Sequence, residues 1–485
     1  MKNLITLSLL ITLTAGILRA ESVPVEERKS LSQYGITWEF DHPVKSGQFI
    51  TGDWWIIGPV TITKITPEPG PLTENATVDI KKDQFGDSSL RNDIRMRNGS
   101  SVAFKCSYQQ GYDSRSETYD PALSVRLPLK LEANRSLIST ISNTKFPVDN
   151  LCKDIMWTKE KVCQQALRAA AVLTCLASVP PKDAFRPAYV GTEKVIYQEK
   201  DLKWDLLLKL KPAGPVPSWT AFERYFQRPW IEQLVGWGQQ ELNPNENQTG
   251  YGRENARLIS MASLMLHLDV PKEQKRKLLI GLVQYGLDIS GCAKNGGDWN
   301  WGGGHPFGRK WPVLFAGLML GDPKIYQLPE TAIFGEDSQS YNGKGWFGQT
   351  ALWQMVRHHG KLASYEEKPP EKWEKWDTIS EDYRVSCTSA AWVGTALAAR
   401  MMKAIKAWDH DAFFDYVDRW MRTDDPYAAA RGTHPRPEQE TTTFDPFVTE
   451  MWKAYRATAP EQARSGKNLK FVWDNGKPAW VDNSK

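Results

Sequence analysis

The sequence has few cysteines, little net charge and no long apolar run after its first 20 residues. Six cysteines in 485 residues are too few for a disulfide scaffold, although one or two bridges, such as Cys152–Cys163, stay open. No later segment approaches the roughly 20 apolar residues of a membrane-spanning helix. The net charge of +4 comes without a long basic run. We therefore expect neither membrane insertion nor nucleic acid as the partner.

Several catalytic signatures are also missing. The sequence contains no G-x-S-x-G, no HExxH and no P-loop, which removes the commonest hydrolase, metalloprotease and P-loop nucleotide classes. No CxxC pair indicates zinc. We expect no cofactor and no catalytic metal.

Residues 1–20 have the features of a signal peptide. Lys2 supplies the positive charge, Leu4 to Leu18 the apolar stretch and Ala20 a small residue before the cleavage point. The mature protein is therefore expected to be secreted or periplasmic. The rest of the chain divides into a β-rich region over 21–150 and a helical region over 151–485.

The β-rich region is predicted from alternating apolar residues bounded by glycine and proline. The predicted strands are Ile36–Phe40, Trp54–Ile57, Val60–Thr63, Ser101–Phe104 and Leu123–Leu131.

The helical region is predicted from apolar residues at helical spacing and from proline or glycine stops. The predicted helices are Lys159–Ser178, Ala221–Leu242, Arg253–Leu268, Lys272–Ile289, Trp311–Leu320, Thr350–His358, Thr388–Trp408, Ala412–Met421 and Pro446–Arg456. Because no strand alternates with them, we predict a mainly α fold, with an (α/α) barrel or toroid behind the smaller β-rich region.

The segment from Asn295 to Trp311 combines glycines, tryptophans, one histidine and an Arg-Lys pair. Glycines let a backbone approach a ligand closely, a histidine can exchange a proton, and a guanidinium can bind a carboxylate. The segment therefore predicts a site for an acidic sugar polymer. A tight turn packed under aromatic rings is the alternative. Its candidate residues are Trp299, Trp301, His305, Arg309 and Lys310.

Other polar residues could face the same site. Tyr251, Arg253 and Asn255 stand at a predicted helix start, where simple capping is an equally good explanation. The remaining candidates are Tyr341, Arg357, Tyr365, Tyr383 and Arg384.

Five stretches of the chain carry a resemblance to known proteins. They are Trp54-Trp-Ile-Ile-Gly-Pro-Val-Thr-Ile, Tyr251-Gly-Arg-Glu, Ala262-Ser-Leu-Met-Leu-His-Leu-Asp269, Gly303-Gly-His-Pro-Phe-Gly-Arg-Lys-Trp-Pro312 and Ala391-Trp-Val-Gly-Thr-Ala-Leu-Ala-Ala-Arg400. In this succession the chain resembles exported bacterial proteins related to polysaccharide lyase family 38. The resemblance spans nearly the whole mature chain. It implies an (α/α) barrel that cleaves alginate or glucuronan by β-elimination.

The resemblance also implies an active site of Asn, His, Arg and Tyr. His305 matches the histidine in its context. Asn255 or Asn247 would neutralise the substrate carboxylate, and Arg309 or Arg357 would hold it. The acid tyrosine stays open among Tyr251, Tyr341, Tyr365 and Tyr383.

Two other functions remain open. An (α/α) glycoside hydrolase needs two carboxylates across the bond, for which Asp298 with Glu254 or Glu381 is available. A non-catalytic protein could instead bind glycans through its tryptophans, of which the chain has 21.

Overall fold

The computed structural model describes residues 24–70, 96–144, 165–300, 303–358, 361–422, 425–431, 443, 445–474 and 477–483. Of these residues, 36% are helical and 23% lie in strands. The chain is a mixed α/β fold built on a curled mixed sheet. The prediction of a mainly α protein with an (α/α) barrel is therefore wrong. The predicted signal peptide lies outside the described residues.

The strands fall into one large sheet and three small hairpins. In chain order they are β1 Glu26–Gln33, β2 Ile36–Gln48, β3 Trp54–Ile57, β4 Val60–Thr66, β5 Ser100–Val102, β6 Leu129–Leu131, β7 Arg135–Ser142, β8 Leu167–Leu176, β9 Ser340–Asn342, β10 Ala351–Trp353, β11 Met355–His358, β12 Lys361–Ala363, β13 Leu469–Asp474 and β14 Lys477–Asp482.

The large sheet has the order β5-β7-β8-β3-β2-β4-β6, with β1 paired to β2. All its neighbours are antiparallel except β3 and β8, which run parallel with Trp54 opposite Leu173. The alternation in β2 matches its burial, because Ile36, Trp38 and Phe40 all enter the same apolar core. The strands predicted around Ile36, Trp54 and Val60 are confirmed.

Strand β8 corrects the helix predicted over Lys159–Ser178. Its residues alternate between two cores: Leu173 and Cys175 face the core of the sheet, whereas Val172 faces the core shared with the helices. A strand buried on both faces shows a continuous apolar run, which cannot be distinguished from a buried helix by periodicity. This strand lies in the range 151–485 that we expected to be helical.

All the α-helices in the described part of the chain lie after residue 218. They are α1 Trp219–Gln227, α2 Gln239–Leu242, α3 Gly252–Leu266, α4 Lys272–Lys294, α5 Lys310–Leu320, α6 Gly335–Ser338, α7 Lys375–Tyr383, α8 Ser389–Met401, α9 Ile405–Trp408, α10 Asp411–Trp420, α11 Pro426–Arg431 and α12 Pro446–Tyr455. The predicted helices that start near Arg253, Lys272, Trp311, Ala412 and Pro446 are confirmed.

Two other helix predictions are wrong. The stretch predicted as Ala221–Leu242 breaks after Gln227 into an irregular segment that ends at α2. Thr350–His358 forms the short strands β10 and β11, because its backbone pairs with β9 and β12.

Helices α3 and α8 pack against each other, as do α4 and α5. Small residues permit this closeness: a Cβ on Gly394 of α8 would lie 2.6 Å from the Ser260 Cβ of α3. The glycine-rich segment connects α4 to α5 and lies against the start of α3. This arrangement places several candidate residues together.

Candidate functional site

The Gly303 turn, defined as residues 303–308, lies on the N-terminal end of α3. A Cβ on Gly252 would fall 1.7 Å from the carbonyl oxygen of His305, so only glycine allows this approach. Gly303 and Gly308 have φ values of +74° and +85°, which favour glycine. The glycines in this segment therefore have a backbone role. Trp301 lies outside the described residues.

Three aromatic rings meet at the Gly303 turn. The ring of His305 lies 6.2 Å from that of Tyr251 and 5.2 Å from that of Trp237, between centroids. Trp237 is 53% exposed, whereas His305 is 3% exposed. The backbone N–H of Gly304 donates to the Tyr251 Oη over 3.1 Å. An exposed indole thus lies beside two polar rings that could exchange protons.

Burial sets the charge state of His305. Burial, together with the positive charge of Arg309, lowers the pKa of the imidazole to about 3. The imidazole is therefore neutral at neutral pH. Its Nδ1 is buried and has no hydrogen-bond partner among the described residues.

Burial has the opposite effect on the acid group Tyr251. It raises the pKa of the phenol well above its usual value, and the neighbouring Cys387 acts in the same direction. Tyr251 is therefore protonated at neutral pH. A neutral imidazole and a protonated phenol are the states required of a general base and a general acid.

Arg309 holds the turn through hydrogen bonds to its backbone. Its guanidinium contacts both oxygens of Glu232, at 3.0 to 3.2 Å, and donates to the carbonyl of His305 over 2.9 Å. Arg309 and Glu232 are both fully buried. The predicted carboxylate-binding arginine is thus committed to an internal ion pair.

A second carboxyl fixes the other end of the turn. The Oε1 of Glu336 accepts from the backbone N–H of Gly308 over 2.7 Å. Burial raises the pKa of Glu336 to about 7. The turn is thus held by two buried acidic side chains from separate parts of the chain.

The other predicted cations are also engaged. Arg253 pairs with Glu254 and donates to the Ser386 carbonyl, and Lys310 pairs with Asp337. Arg384 is buried among Glu381 and other carboxylates. Arg357 lies in β11 with its side chain outside the described part of the structure.

Asn255 lies near the site but is fully buried in α3. Its Oδ1 accepts from Thr249 Oγ1 over 2.6 Å, while its Nδ2 has no hydrogen-bond partner among the described residues. Asn247 instead donates to the backbone of Arg228 and Pro229. Of the two predicted amides, Asn255 is the one with a donor to spare.

The four tyrosine candidates fall into two groups. Tyr383 joins Tyr251 at the Gly303 turn, because a Cβ on Gly303 would lie 2.8 Å from its ring. Tyr365 is buried elsewhere and donates to Glu381 over 2.5 Å. Tyr341 is buried under Lys470, whose Nζ lies 4.2 Å from the ring centroid.

Trp299 belongs to the core. It is 4% exposed, and its ring stacks on Phe334 with the centroids 5.3 Å apart and an angle of 7°. It is therefore not available for stacking on a sugar.

Two of the three carboxylates considered for hydrolysis are charge-paired. Glu254 contacts Arg253 and Arg257. Glu381 contacts Arg384 and accepts from Tyr365. Asp298 precedes Trp299 in the segment that leads to the turn.

A separate cavity of about 300 Å³ lies between the sheet and helices α1 and α4. Its lining includes Asp53 and Asp288, which both bind the buried Arg186 at 2.5 to 2.8 Å. It contains no candidate predicted from the sequence. We do not assign this cavity as the functional site, because Asp53 and Asp288 neutralise an internal cation.

The sequence analysis missed Trp237 and Glu232. Both lie in the segment wrongly predicted as one helix, between α1 and α2. Pro229, Gly236 and Gly238 were the signals that this helix breaks. Loops of this kind carry exposed functional side chains more often than helix interiors do.

Comparison with protein-family models, curated proteins and solved structures found no match. Over the described residues, no cluster of three or more His, Cys, Asp or Glu could hold a metal ion. No helix in that same part of the chain is long and apolar enough to cross a membrane.

Proposed function

We propose that the protein is a polysaccharide lyase that cleaves a uronic-acid polymer, alginate or glucuronan, by β-elimination at the Gly303 turn. The observation that carries the proposal is the meeting of His305, Tyr251 and the exposed Trp237 at one turn. The resemblance of the Gly303-to-Pro312 motif to polysaccharide lyase family 38 agrees with it.

His305 is the proposed base. β-Elimination removes the C5 proton of a uronate and expels the O4 substituent, which leaves a C4–C5 double bond. The neutral imidazole can accept this proton through Nδ1, which has no competing partner among the described residues. Because His305 is 3% exposed, substrate entry requires a covering side chain to move. Trp237 is exposed and touches it, so we assign this movement to Trp237.

Tyr251 is the proposed acid. Its phenol is held protonated by burial, and protonation of the departing O4 requires that form. The Gly304 N–H at 3.1 Å stabilises the phenolate that remains after proton transfer. Tyr383 lies across the same turn and is the second choice for this role.

Neutralisation of the substrate carboxylate falls to Asn255 in this proposal. The described arginines around the turn are occupied by carboxylates, whereas Asn255 Nδ2 has no hydrogen-bond acceptor there. An unpaired buried amide is costly, at about 1–3 kcal/mol, and a bound carboxylate would satisfy it. The ion-paired state of Glu254 and Glu381 favours elimination over hydrolysis.

The proposal is tested with purified protein on alginate, glucuronan and a neutral glucan. We expect ultraviolet-absorbing unsaturated ends from at least one uronan and none from the neutral polymer. His305→Ala should abolish them. His410→Ala is the matched control, because His410 is buried 5.8 Å from Trp480 and has no part in the proposed chemistry. Full activity in the His305→Ala variant would refute the assignment.

A further inference from the structure

The loop between β9 and β10 exposes two adjacent aromatic side chains. Trp346 is 54% exposed and Phe347 is 43% exposed. Lys344, two residues earlier, is exposed as well. Single exposed apolar residues are common, but adjacent large aromatics on one loop often mark a binding surface.

This loop is held in a fixed conformation. The N–H of Gly345 donates to the Gln349 carbonyl over 2.8 Å, and the N–H of Gly348 donates to the Gly345 carbonyl over 2.9 Å. The N–H of Trp346 donates to the Glu366 carbonyl over 2.8 Å. The exposed rings are thus carried on an ordered backbone, which lowers the entropy lost when a ligand binds.

The ring of Phe347 is also anchored from behind. It meets Tyr427 edge to face, with the centroids 5.1 Å apart. The Tyr427 hydroxyl donates to the Glu366 carbonyl over 2.8 Å. One face of Phe347 is therefore fixed while the rest of the ring stays exposed.

A cavity of about 550 Å³ opens beside the loop. Its walls are Phe347 to Ala351 on one side and Asp415, Asp418, Arg419, Arg422 and Arg464 on the other. Arg422 is exposed and lies just after α10. The cavity thus has the aromatic Phe347 on one wall, and three arginines with two aspartates on the other.

The arginines near this cavity other than Arg422 are paired with acids, and Arg419 binds Glu366. Arg464 binds Asp415 at 2.5 Å, while Asp418 is shared by Arg400 and Arg456 at 2.7 and 2.6 Å. Exposed Lys344 and Arg422 add two further positive charges. An anionic ligand is therefore the one that this charge distribution favours.

We propose that Lys344, Trp346, Phe347 and Arg422, called here the Trp346 surface, form a second binding site for a chain of acidic sugars. The rings would stack on the apolar faces of the sugars, and the two cations would bind their carboxylates. The surface shares no residue with the Gly303 turn. It would hold a polymer on the protein without taking part in cleavage. The choice of an acidic polymer rests on the proposed function.

The test is native electrophoresis in gels that contain alginate, glucuronan or a neutral glucan. We expect the acidic polymers to retard the wild-type protein, and the Trp346→Ala/Phe347→Ala variant to bind them roughly tenfold more weakly. Phe104→Ala is the matched control, since Phe104 is 52% exposed on another part of the molecule. Arg422→Gln should bind more weakly at low salt and lose part of its salt dependence, because Lys344 remains.

Equal retardation of the wild type and the double variant would overturn the proposal, as would retardation by the neutral glucan alone. Cleavage of short oligosaccharides should be unchanged in the double variant. If the acidic gels retard the wild type but no polymer yields unsaturated ends, the lyase proposal fails while the binding surface stands. If cleavage occurs without any retardation, the binding surface fails alone.

Discussion

At the scale of single residues, burial holds both His305 and Tyr251 in their neutral forms. The same desolvation lowers the pKa of an imidazole and raises that of a phenol, because each group is driven to its neutral form. The proposed base thus lacks a proton, and the proposed acid beside it keeps its own. The sequence predicts these two residues as candidates but cannot predict the shared environment.

Replacing Tyr251 tests the acid. Tyr251→Phe keeps the ring and removes the proton donor, so we expect cleavage to fall by roughly 10²–10⁴-fold, measured as initial rates of unsaturated product. Tyr383→Phe is the control on the other side of the turn and should lose far less. A larger loss of cleavage rate in Tyr383→Phe than in Tyr251→Phe would assign the acid to Tyr383.

Replacing Glu232 tests the support beneath the turn. Glu232→Gln leaves the Arg309 charge buried without a carboxylate, so the free energy of unfolding should fall by about 3–5 kcal/mol in denaturant titrations. Glu199→Gln is the matched control, because the Glu199–Arg276 pair is partly exposed. Its free energy of unfolding should fall by only about 0–1 kcal/mol. Similar small losses in both would show that Arg309 finds other partners.

At the scale of elements, the closest contact of the site is between α3 and the Gly303 turn. The start of α3 is predictable from its sequence, and so are α4 and α5, since their apolar spacing is regular. The contact itself is not predictable, because Gly252 and His305 are far apart in the chain. Strand β8 and strands β10 and β11 were mistaken for helices because their burial comes from tertiary pairing.

Gly252→Ala tests this contact. The new Cβ would meet the His305 carbonyl at 1.7 Å, so the turn must shift away from Tyr251. We expect a loss of about 1–3 kcal/mol in the free energy of unfolding and a fall of roughly 10²-fold in cleavage rate. Stability and rate are measured on the same preparation.

Gly250→Ala is the control for that variant. Its Cβ would come closest to the Gln165 side chain, at 3.3 Å. It should retain most of its activity and stability. Equal losses of stability and cleavage rate in both variants would mean that the start of α3 tolerates no added side chain. The contact with the Gly303 turn would then not be the cause.

At the scale of the whole molecule, the sheet and the helices share one core. Ile138 and Val172 of the sheet pack in the same cluster as residues of the helices. Many ionisable groups are buried in the process, and His267 is one of them. Its Nδ1 accepts the backbone N–H of Leu208 over 3.0 Å, and burial lowers its pKa to about 3.

His267 makes stability depend on pH. Above pH 6.5 it is neutral in both the folded and the unfolded chain. Between pH 6.5 and about 3, only the unfolded chain binds the proton, so stability falls as the pH falls, by up to about 1.4 kcal/mol per unit. His267→Asn keeps an acceptor for Leu208 and should reduce the slope seen in denaturant titrations by the His267 share, while the share of His305, whose pKa is also lowered to about 3, remains. An unchanged slope would show that His267 is not held neutral.

The most direct test of β-elimination is to let the wild-type protein cleave a uronan in ¹⁸O-labelled water. The products are then weighed by mass spectrometry. Elimination predicts fragments with an unsaturated end, each one water lighter than a hydrolysis fragment, with no cleavage-dependent uptake of ¹⁸O. The Tyr251→Phe variant should form the same fragments far more slowly. Saturated fragments that carry one ¹⁸O at each new reducing end would contradict the account and indicate hydrolysis.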